Sequence, residues 1–261
     1  MSPSESLAGR TGKGVRVAVI DSGVRASHPH IGGVTGGVTI GADLDEKNYI
    51  DVIGHGTAVM AAIKEKAPDA EYFAVRVFYS SLRTTVDLLL RAIEWSIANR
   101  IDVINLSLGT TNPAHRERFA PVLARLLDKG PVLVSARDAD GTPALPGSLP
   151  GVIGVDLDWD CPREMYYCKP AAEGLAVVAS GYPRSLPGVP RAKNLHGISF
   201  AVANTTGFVV RACEGLENRS YDSVCAAMAE NAGLTPVYID GSHRSEKGPV
   251  PSPFGEKPAQ E

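Results

Sequence analysis

The feature that most constrains the fold is a series of short apolar runs rich in Val, Ile and Leu, separated by stretches with helical periodicity. Near-continuous apolar runs of this length are typical of parallel strands that are covered on both faces. Strands that alternate with helices predict an α/β fold, in which a doubly wound, mainly parallel sheet is flanked by helices. The five predicted strands are Val15–Ile20, Glu71–Phe78, Asp102–Leu108, Pro131–Ala136 and Gly151–Val155.

Two stretches between these strands carry the signals of helices. Thr84 is a predicted N-cap, because Asp87 follows three residues later and apolar residues then recur on one helical stripe. Ala114–Lys129 predicts a second helix, which ends at Gly130. Turns, prolines and two cysteines over residues 156–193 predict loops and short strands in that part of the chain.

Length and composition predict one large domain. The chain has 261 residues, of which 44% are hydrophobic and 21% are charged, so it can bury a sizeable core. We expect a single domain over residues 1–240. Residues 241–261 are rich in Pro, Gly, Ser and charge, and they predict a flexible C-terminal tail. The glycine pairs at residues 32–33 and 36–37 predict turns.

Charge and hydropathy argue against two classes of partner. The net charge of −3 and the pI of about 6.1 do not favour binding to nucleic acid. No apolar run reaches the roughly 18 residues of a membrane span, and the first residues show no apolar secretory signal. We therefore expect neither nucleic acid nor a membrane as a partner, and a cytoplasmic location.

The residues that commonly bind metals form no recognisable site pattern. The four cysteines lack the spacing of a zinc site, and the missing signal predicts that they are reduced thiols. His28 and His30 are two residues apart, but the sequence indicates no third ligand. We expect no metal and no cofactor.

Three short segments carry residues suited to nucleophilic catalysis. Asp21 follows a predicted buried strand, His55 lies in Gly-His-Gly-Thr, and Ser199 lies in Gly-Ile-Ser-Phe-Ala; helices follow the last two. In a nucleophilic triad, Ser attacks, His takes the proton and Asp holds the imidazole in the required tautomer. Each residue alone has an ordinary structural explanation, as a turn residue, a surface histidine or a helix cap. Their order, with each at the edge of an element, favours the triad.

The same segments resemble those of the subtilisin-like serine proteases, the subtilases, in order and separation. Ala92–Gly109 is similar to the helix, the strand and the substrate-binding strand of that family. His28-Pro29 follows the Asp segment as it often does there, and Leu145–Gly147 resembles the segment after the residue that binds the oxyanion. The resemblance covers residues 10–215. It implies a subtilisin-like catalytic domain with serine endopeptidase activity.

Carried over residue by residue, the resemblance implies that Asp21, His55 and Ser199 are the catalytic triad. It also implies that a peptide substrate pairs with this chain as an added strand and fills side-chain pockets beside it. The residues implied to bind the substrate are Ser107, Leu108, Gly109, Ala136, Arg137 and Ala144.

The sequence departs from the family at the oxyanion hole. Where the family usually has Asn after Gly, this chain has Asp138 after Arg137. An ionised carboxylate only accepts hydrogen bonds, whereas a protonated one could donate to the oxyanion. Some proprotein convertases in the family also carry Asp at this position. Two interpretations stay open: Asp138 is a protonated catalytic donor, or it forms a surface pair with Arg137 in a shifted loop.

Further departures surround the nucleophile. The family pattern has Thr, Met and Pro where this chain has Ile198, Phe200 and Ala203, which predicts a slow and dedicated enzyme. The chain between His55 and Ala74 is too short for the calcium loop that is usual in the family, so we expect no calcium there.

These departures favour an intracellular processing peptidase with one cytoplasmic protein or peptide as its substrate. A leader peptide of a modified peptide is one such substrate, and the subtilases of quinohemoprotein amine dehydrogenase biogenesis are the type considered. The question whether an accessory protein completes the active site stays open. The alternative is a non-catalytic module that grips a peptide strand along residues 107–109. A dinucleotide-dependent enzyme is disfavoured, because no glycine fingerprint follows the first strand.

Overall fold

The computed structural model describes residues 7, 9–41, 44–45, 48–171 and 174–233. Within this part of the chain, nine strands form one sheet and two short strands form a separate hairpin. In chain order the strands are β1 (Arg16–Asp21), β2 (Gly36–Ile40), β3 (Leu44–Asp45), β4 (Glu71–Arg76), β5 (Val103–Leu106), β6 (Val132–Ala136), β7 (Asp138–Ala139), β8 (Thr142–Pro143), β9 (Ile153–Asp158), β10 (Tyr166–Ala171) and β11 (Gly174–Ser180).

The large sheet is mainly parallel, which confirms the predicted fold class. Its strand order is β10-β11-β9-β6-β5-β1-β4-β2-β3. The pairs from β11 across to β2 are parallel, and only β10 and β3, at the two ends of this order, pair antiparallel to their neighbours. β1 lies in the interior between β4 and β5, so the end of β1 faces the crevice that parallel sheets offer to ligands.

Helices cover both faces of the sheet. They are α1 (His55–Lys66), α2 (Val86–Ala98), α3 (Arg116–Lys129), α4 (Ile198–Cys213) and α5 (Tyr221–Asn231). Side chains of α1, α4 and α5 share one hydrophobic cluster, and those of α2 and α3 share another. Successive side chains of β1 enter alternate clusters, with Val17 and Val19 in the first and Ala18 and Ile20 in the second, as the two-residue period of a strand requires.

The five predicted strands all form, as β1, β4, β5, β6 and β9, with ends that differ by up to a few residues. Two of the short strands predicted over residues 156–193 form as β10 and β11, which have six and seven residues. The bounds of β10 could not be predicted, because Lys169 and Pro170 interrupt its apolar pattern. An edge strand tolerates both residue types, since one side of it has no strand to pair with.

The start of α2 differs from the prediction by one residue. Thr85, not Thr84, is the N-cap, and its hydroxyl oxygen accepts the Leu88 N–H at 3.3 Å. This hydrogen bond spans three residues, as N-cap geometry requires. Asp87, which suggested Thr84 as the cap, lies in the first turn of the helix. α3 begins at Arg116 because a short 3₁₀ turn over Pro113–His115 precedes it.

None of the helices in the described ranges has the length and apolar composition needed to cross a bilayer. The predicted tail over residues 241–261 lies outside the described residues. The limits of the domain therefore stay predictions.

The glycine pair at residues 36–37 does not form the predicted turn but begins β2. A Cβ on Gly37 would lie 2.4 Å from the carbonyl oxygen of Ala74 in β4, and 2.7 Å from the ring of Tyr49. A Cβ on Gly36 would make only ordinary contacts, at 3.5 Å from the ring of Phe73. Gly37 is therefore needed for the close approach of β2 to β4.

We expect Gly37→Ala to lower the free energy of unfolding by about 1–3 kcal/mol, the usual cost of overpacking a core. Gly36→Ala is the matched control, and we expect it to change the free energy by less than about 1 kcal/mol. Urea unfolding of the two variants measures both values. Equal stability of the two would contradict the contact at Gly37.

Candidate active site

The candidate site begins at the carboxyl end of β1, where Asp21 is fully buried. Its carboxylate oxygens lie 2.8 and 3.0 Å from Nδ1 of His55, the first residue of α1. The backbone N–H of Ser22 also donates to Asp21 Oδ1 at 2.7 Å. Because Nδ1 is hydrogen-bonded to a carboxylate, it holds the proton, and Nε2 of the neutral ring is left as a base.

A glycine lets the start of α1 approach the end of β1. A Cβ on Gly56 would lie 2.2 Å from the carbonyl oxygen of Gly23 and 3.1 Å from Asp21. The N–H of Gly56 donates to the hydroxyl of Ser22 at 2.9 Å. The second glycine of Gly-His-Gly-Thr is therefore a packing requirement for the contact between His55 and Asp21.

A second buried carboxylate, which the sequence reasoning missed, organises this loop. Asp51 is 1% exposed and accepts hydrogen bonds from five donors at 2.6–2.9 Å. The donors are the hydroxyl of Ser22, the N–H groups of Ile53 and Gly54, and the N–H and hydroxyl of Thr57. Asp51 lies three residues before Gly54, the N-cap of α1, so the usual capping pattern does not point to it.

Electrostatics in the loop set the protonation of both groups. Burial would raise the pKa of Asp51, but the hydrogen bonds from Thr57, Gly54 and Ser22 outweigh it and hold that pKa below its usual range. Burial lowers the pKa of His55, yet the charge and hydrogen bond of Asp21 and the charge of Asp51 outweigh burial and raise it. His55 is therefore a stronger base than a free histidine.

Ser199 is the second residue of α4, which begins at Ile198. Gly197, which directly precedes the helix, has a positive φ. Gly197 provides no side-chain cap, so the first N–H groups of α4, that of Ser199 included, are available to an anion. The ring of Phe200 lies 6.0 Å from that of His55, centroid to centroid. α4 thus brings the serine segment to the histidine.

Ser199 is hydrogen-bonded to Ser107, the first residue of the predicted substrate segment. Ser199 Oγ donates to the carbonyl oxygen of Ser107 at 3.5 Å, and Ser107 Oγ donates to the carbonyl oxygen of Ser199 at 3.3 Å. In the described part of the chain, Ser199 Oγ makes no hydrogen bond to His55. Catalysis would therefore require a rotation about χ1 of Ser199, and catalytic hydrogen bonds often form only when substrate binds.

Two buried residues that the sequence reasoning missed hold this junction. Asn105 in β5 donates from Nδ2 to Ser107 Oγ at 3.0 Å. The hydroxyl of Thr206, one helical turn beyond Val202 in α4, lies 2.9 Å from Asn105 Oδ1. β5 and α4 are therefore connected by side chains directly behind Ser107 and Ser199.

The predicted substrate residues lie at the same edge of the sheet. Leu108 and Gly109 continue from the end of β5, and the next residue, Thr110, exchanges two backbone hydrogen bonds with Leu145 at 2.9 and 3.0 Å. A Cβ on Gly109 would lie 2.6 Å from the Leu145 carbonyl oxygen. Ala136 ends β6, and the N–H of Ala144 donates to the carbonyl of Arg137 at 2.9 Å.

The side chain of Arg137 is committed to an ion pair below this edge. Its guanidinium binds both carboxylate oxygens of Asp156, at 2.9 and 2.6 Å, and Lys169 lies 2.7 Å from the same carboxylate. The interpretation of Asp138 as the surface partner of Arg137 is therefore wrong, because Arg137 pairs with Asp156 instead.

Asp138 lies in the tight hairpin of β7 and β8. Its Oδ1 accepts the N–H of Gly141 at 2.7 Å, and the turn passes through Asp140 and Gly141 with left-handed backbones, as a two-residue hairpin of Asp-Gly favours. One oxygen thus has a structural partner, and the role of the carboxyl group as a donor stays a prediction.

An Asp-His pair at the end of a parallel strand and a Ser at the N-terminus of a packed helix define a class of protein, the triad hydrolases built on an α/β sheet. The comparison with known families makes the assignment specific. A sequence model of the Subtilase family matches residues 12–149, more than half of the chain. The chain therefore belongs to the subtilase family.

Similar proteins are found among the bacterial subtilisins. The chain is 30% identical over 220 residues to subtilisin of Bacillus pumilus, which covers 78% of this chain and 76% of that protein. It is 33% identical over 169 residues to subtilisin E of Bacillus subtilis, covering 59% and 43%. It is 34% identical over 160 residues to the minor extracellular protease Epr of the same species, covering 57% and 24%. The matches to these last two thus span less than half of their lengths.

The raised pKa of His55 has a testable consequence. A base must be neutral to accept a proton, so we expect the labelling rate of Ser199 by a fluorophosphonate to fall on the acidic side with a midpoint above 6.5, the ordinary value. Asp51→Asn removes a charge that raises the pKa of His55 and should move the midpoint down. Asp69→Asn, an exposed carboxylate before β4, is the control. Equal midpoints in wild type and Asp51→Asn would contradict the coupling.

Proposed function

We propose that this chain is a serine endopeptidase that cuts peptide bonds through an acyl-enzyme on Ser199. The observation that carries the proposal is the hydrogen bond between His55 and the buried Asp21 at the end of β1. That pair lies beside the segment that holds Ser199 at the N-terminus of α4. Membership of the subtilase family supports the same reaction.

In the proposed reaction, Ser199 Oγ turns away from the Ser107 carbonyl and attacks the carbonyl carbon of the substrate. His55 Nε2 takes the hydroxyl proton, and Asp21 holds the Nδ1–H and stabilises the imidazolium. The free N–H of Ser199 donates to the oxyanion. His55 then gives its proton to the leaving amine, and a water molecule that is activated by the same base releases the acyl group.

The substrate would lie as an extended strand along Ser107, Leu108 and Gly109. In the described part of the chain, the N–H and carbonyl groups of Gly109 have no backbone partner, so they are available to an added strand. Ala136 and Ala144, both small and buried, would line the pocket for the residue before the cut.

The finer proposal is a dedicated substrate, such as the leader peptide of a modified peptide. It is supported by the residues around the nucleophile, where Ile198 supplies no hydroxyl and the bulky Phe200 is buried against the His55 ring. A peptide-maturation protease of the type that acts in quinohemoprotein amine dehydrogenase biogenesis is one such dedicated enzyme. Incubation with a candidate precursor tests it, and random cutting along the precursor would overturn it.

We also propose a cytoplasmic location. The support is the four free thiols, at Cys161, Cys168, Cys213 and Cys225, which suit a reducing compartment. Cell fractionation tests the location, and recovery from the medium, where the name of Epr places that relative, would overturn it.

The most direct test of the proposed function is the intact mass after incubation with a fluorophosphonate. We expect a single adduct on the wild type and on Ser81→Ala, an exposed serine that serves as the matched control, and none on Ser199→Ala. His55→Ala should slow the labelling by up to about 10⁶-fold, since the serine loses its base.

A wild-type chain that takes no adduct at any pH between 5 and 9 would contradict the proposal. The hydrogen bond of Ser199 to Ser107 would then describe the functional state. The chain would be the peptide-binding module that the sequence leaves as the alternative.

Asp138→Asn tests the oxyanion hole. Asn can keep the acceptor for the Gly141 N–H and place an amide where the second carboxylate oxygen lies. We expect kcat to rise, at most by the about 10²–10³-fold that one such donor contributes in a subtilisin, and to lose any fall at high pH. A lower kcat at every pH would reject Asp138 as an oxyanion donor. Asp140→Asn, in the same turn, is the control.

A further inference from the structure

A cavity of about 320 Å³ lies between the two segments that carry the histidine and the serine. One wall contains Val52, Ile53 and Gly54, which directly precede His55, and another contains Asn194 and Leu195, a few residues before Ser199. None of the residues proposed to hold the part of the substrate before the cut lines it. A peptide that runs through the cleft would therefore place its leaving half at this cavity.

The ionisable side chains on the cavity wall are all basic. Arg25, Arg184, His28 and His30 line it, and among the described lining residues there is no carboxylate. In the described part of the chain the guanidinium of Arg25 has no ion-pair partner. The backbone N–H of Arg25 donates to the Thr57 hydroxyl at 3.0 Å, which holds the residue beside the first turn of α1. One full positive charge is thus left for a ligand.

Arg184 is only partly neutralised. Its Nε lies 3.8 Å from Glu65, and that carboxylate also binds Arg163. Burial and then the positive charge of Arg184 lower the pKa of His30, so the field of the arginine reaches the cavity wall. One carboxylate shared by two arginines leaves a net positive charge at this edge.

The histidines add hydrogen-bond donors to the wall. His28 Nδ1 accepts the N–H of His30 at 3.2 Å, which leaves the proton of a neutral His28 ring on Nε2. The two rings meet edge to face with centroids 5.2 Å apart. Arginine forks and imidazole N–H groups are the donors that bind carboxylates in proteins.

We infer that this cavity binds a carboxylate on the leaving side of the substrate, so that the chain prefers peptides with an acidic group within a few residues after the cut. The inference rests on the proposed endopeptidase function and specifies its substrate class. Exposed apolar side chains on the rim, Val52, Leu186 and Leu195, would contact the aliphatic part of the same segment. The acidic group is either a side chain of Asp or Glu or the free C-terminus of a short peptide.

The test uses two random peptide libraries that differ only at the C-terminus, one a free acid and one an amide. Mass spectrometry of the products gives the residues after each cut. The wild type should enrich Asp and Glu by about tenfold at one of these positions, as one charge-assisted contact would. Arg25→Gln/Arg184→Gln should lose the enrichment. Lys13→Gln/Arg100→Gln, exposed residues before β1 and β5, removes the same charge and should keep it.

The amidated library identifies the source of the carboxylate. Enrichment of Asp and Glu that survives amidation identifies a side chain, whereas cutting near the C-terminus that amidation abolishes identifies the terminal carboxylate. Cutting without acidic preference, or with equal preference in the Arg25→Gln/Arg184→Gln variant, overturns the inference.

The fluorophosphonate adduct on Ser199 separates failure of the inference from failure of the proposed function. If the adduct forms and the libraries are cut without the preference, the carboxylate site is wrong. If neither adduct nor product forms, the endopeptidase function itself is wrong.

Discussion

The site depends on one close contact, the approach of the first turn of α1 to the end of β1. Gly56 permits that approach because any side chain there would overlap the backbone of Gly23. Asp51 holds it, since a buried carboxylate must be satisfied by hydrogen bonds, and its donors come from both sides of the contact, from Ser22 and from Thr57. The hydrogen bond between His55 and Asp21 follows from this packing. The strength of the hydrogen bond between His55 and Asp21 therefore depends on the packing around Gly56 and Asp51, and not on His55 and Asp21 alone.

The other half of the site has a similar construction. α4 is almost wholly buried, so its N-terminus is fixed by the core, and Asn105 connects the helix to β5 through Thr206 and Ser107. The nucleophile, its substrate strand and its base are thus each attached to a different element, and the parallel sheet brings the three ends together. The cavity beside His55 lies outside this framework, and it is the place where we propose that substrate preference is set.

The fold and the three candidate catalytic residues could be predicted because their signals are local. The strands that contain Val17 and Val103 are continuous apolar runs in the sequence. Asp21, His55 and Ser199 each lie at or next to the end of a predicted strand or helix. Asp51 could not be found in this way, since it lies three residues before the N-cap of α1 and not at it. Asn105 and Thr206 could not be found because they bond each other across 101 residues of sequence. The Arg137–Asp156 pair was missed because its partners are 19 residues apart. The bounds of β10 could not be predicted because an edge strand carries no continuous apolar run.

The most direct test of this account is proton NMR of the His55 ring. A Nδ1–H held by a buried carboxylate gives a strongly downfield, slowly exchanging signal, which Asp21→Ala assigns by its loss. The account predicts that Ser199→Ala keeps this signal and that Gly56→Ala loses it while the protein stays folded, because the added methyl group separates α1 from β1. A signal in Gly56→Ala with the position and exchange rate of the wild type would contradict it.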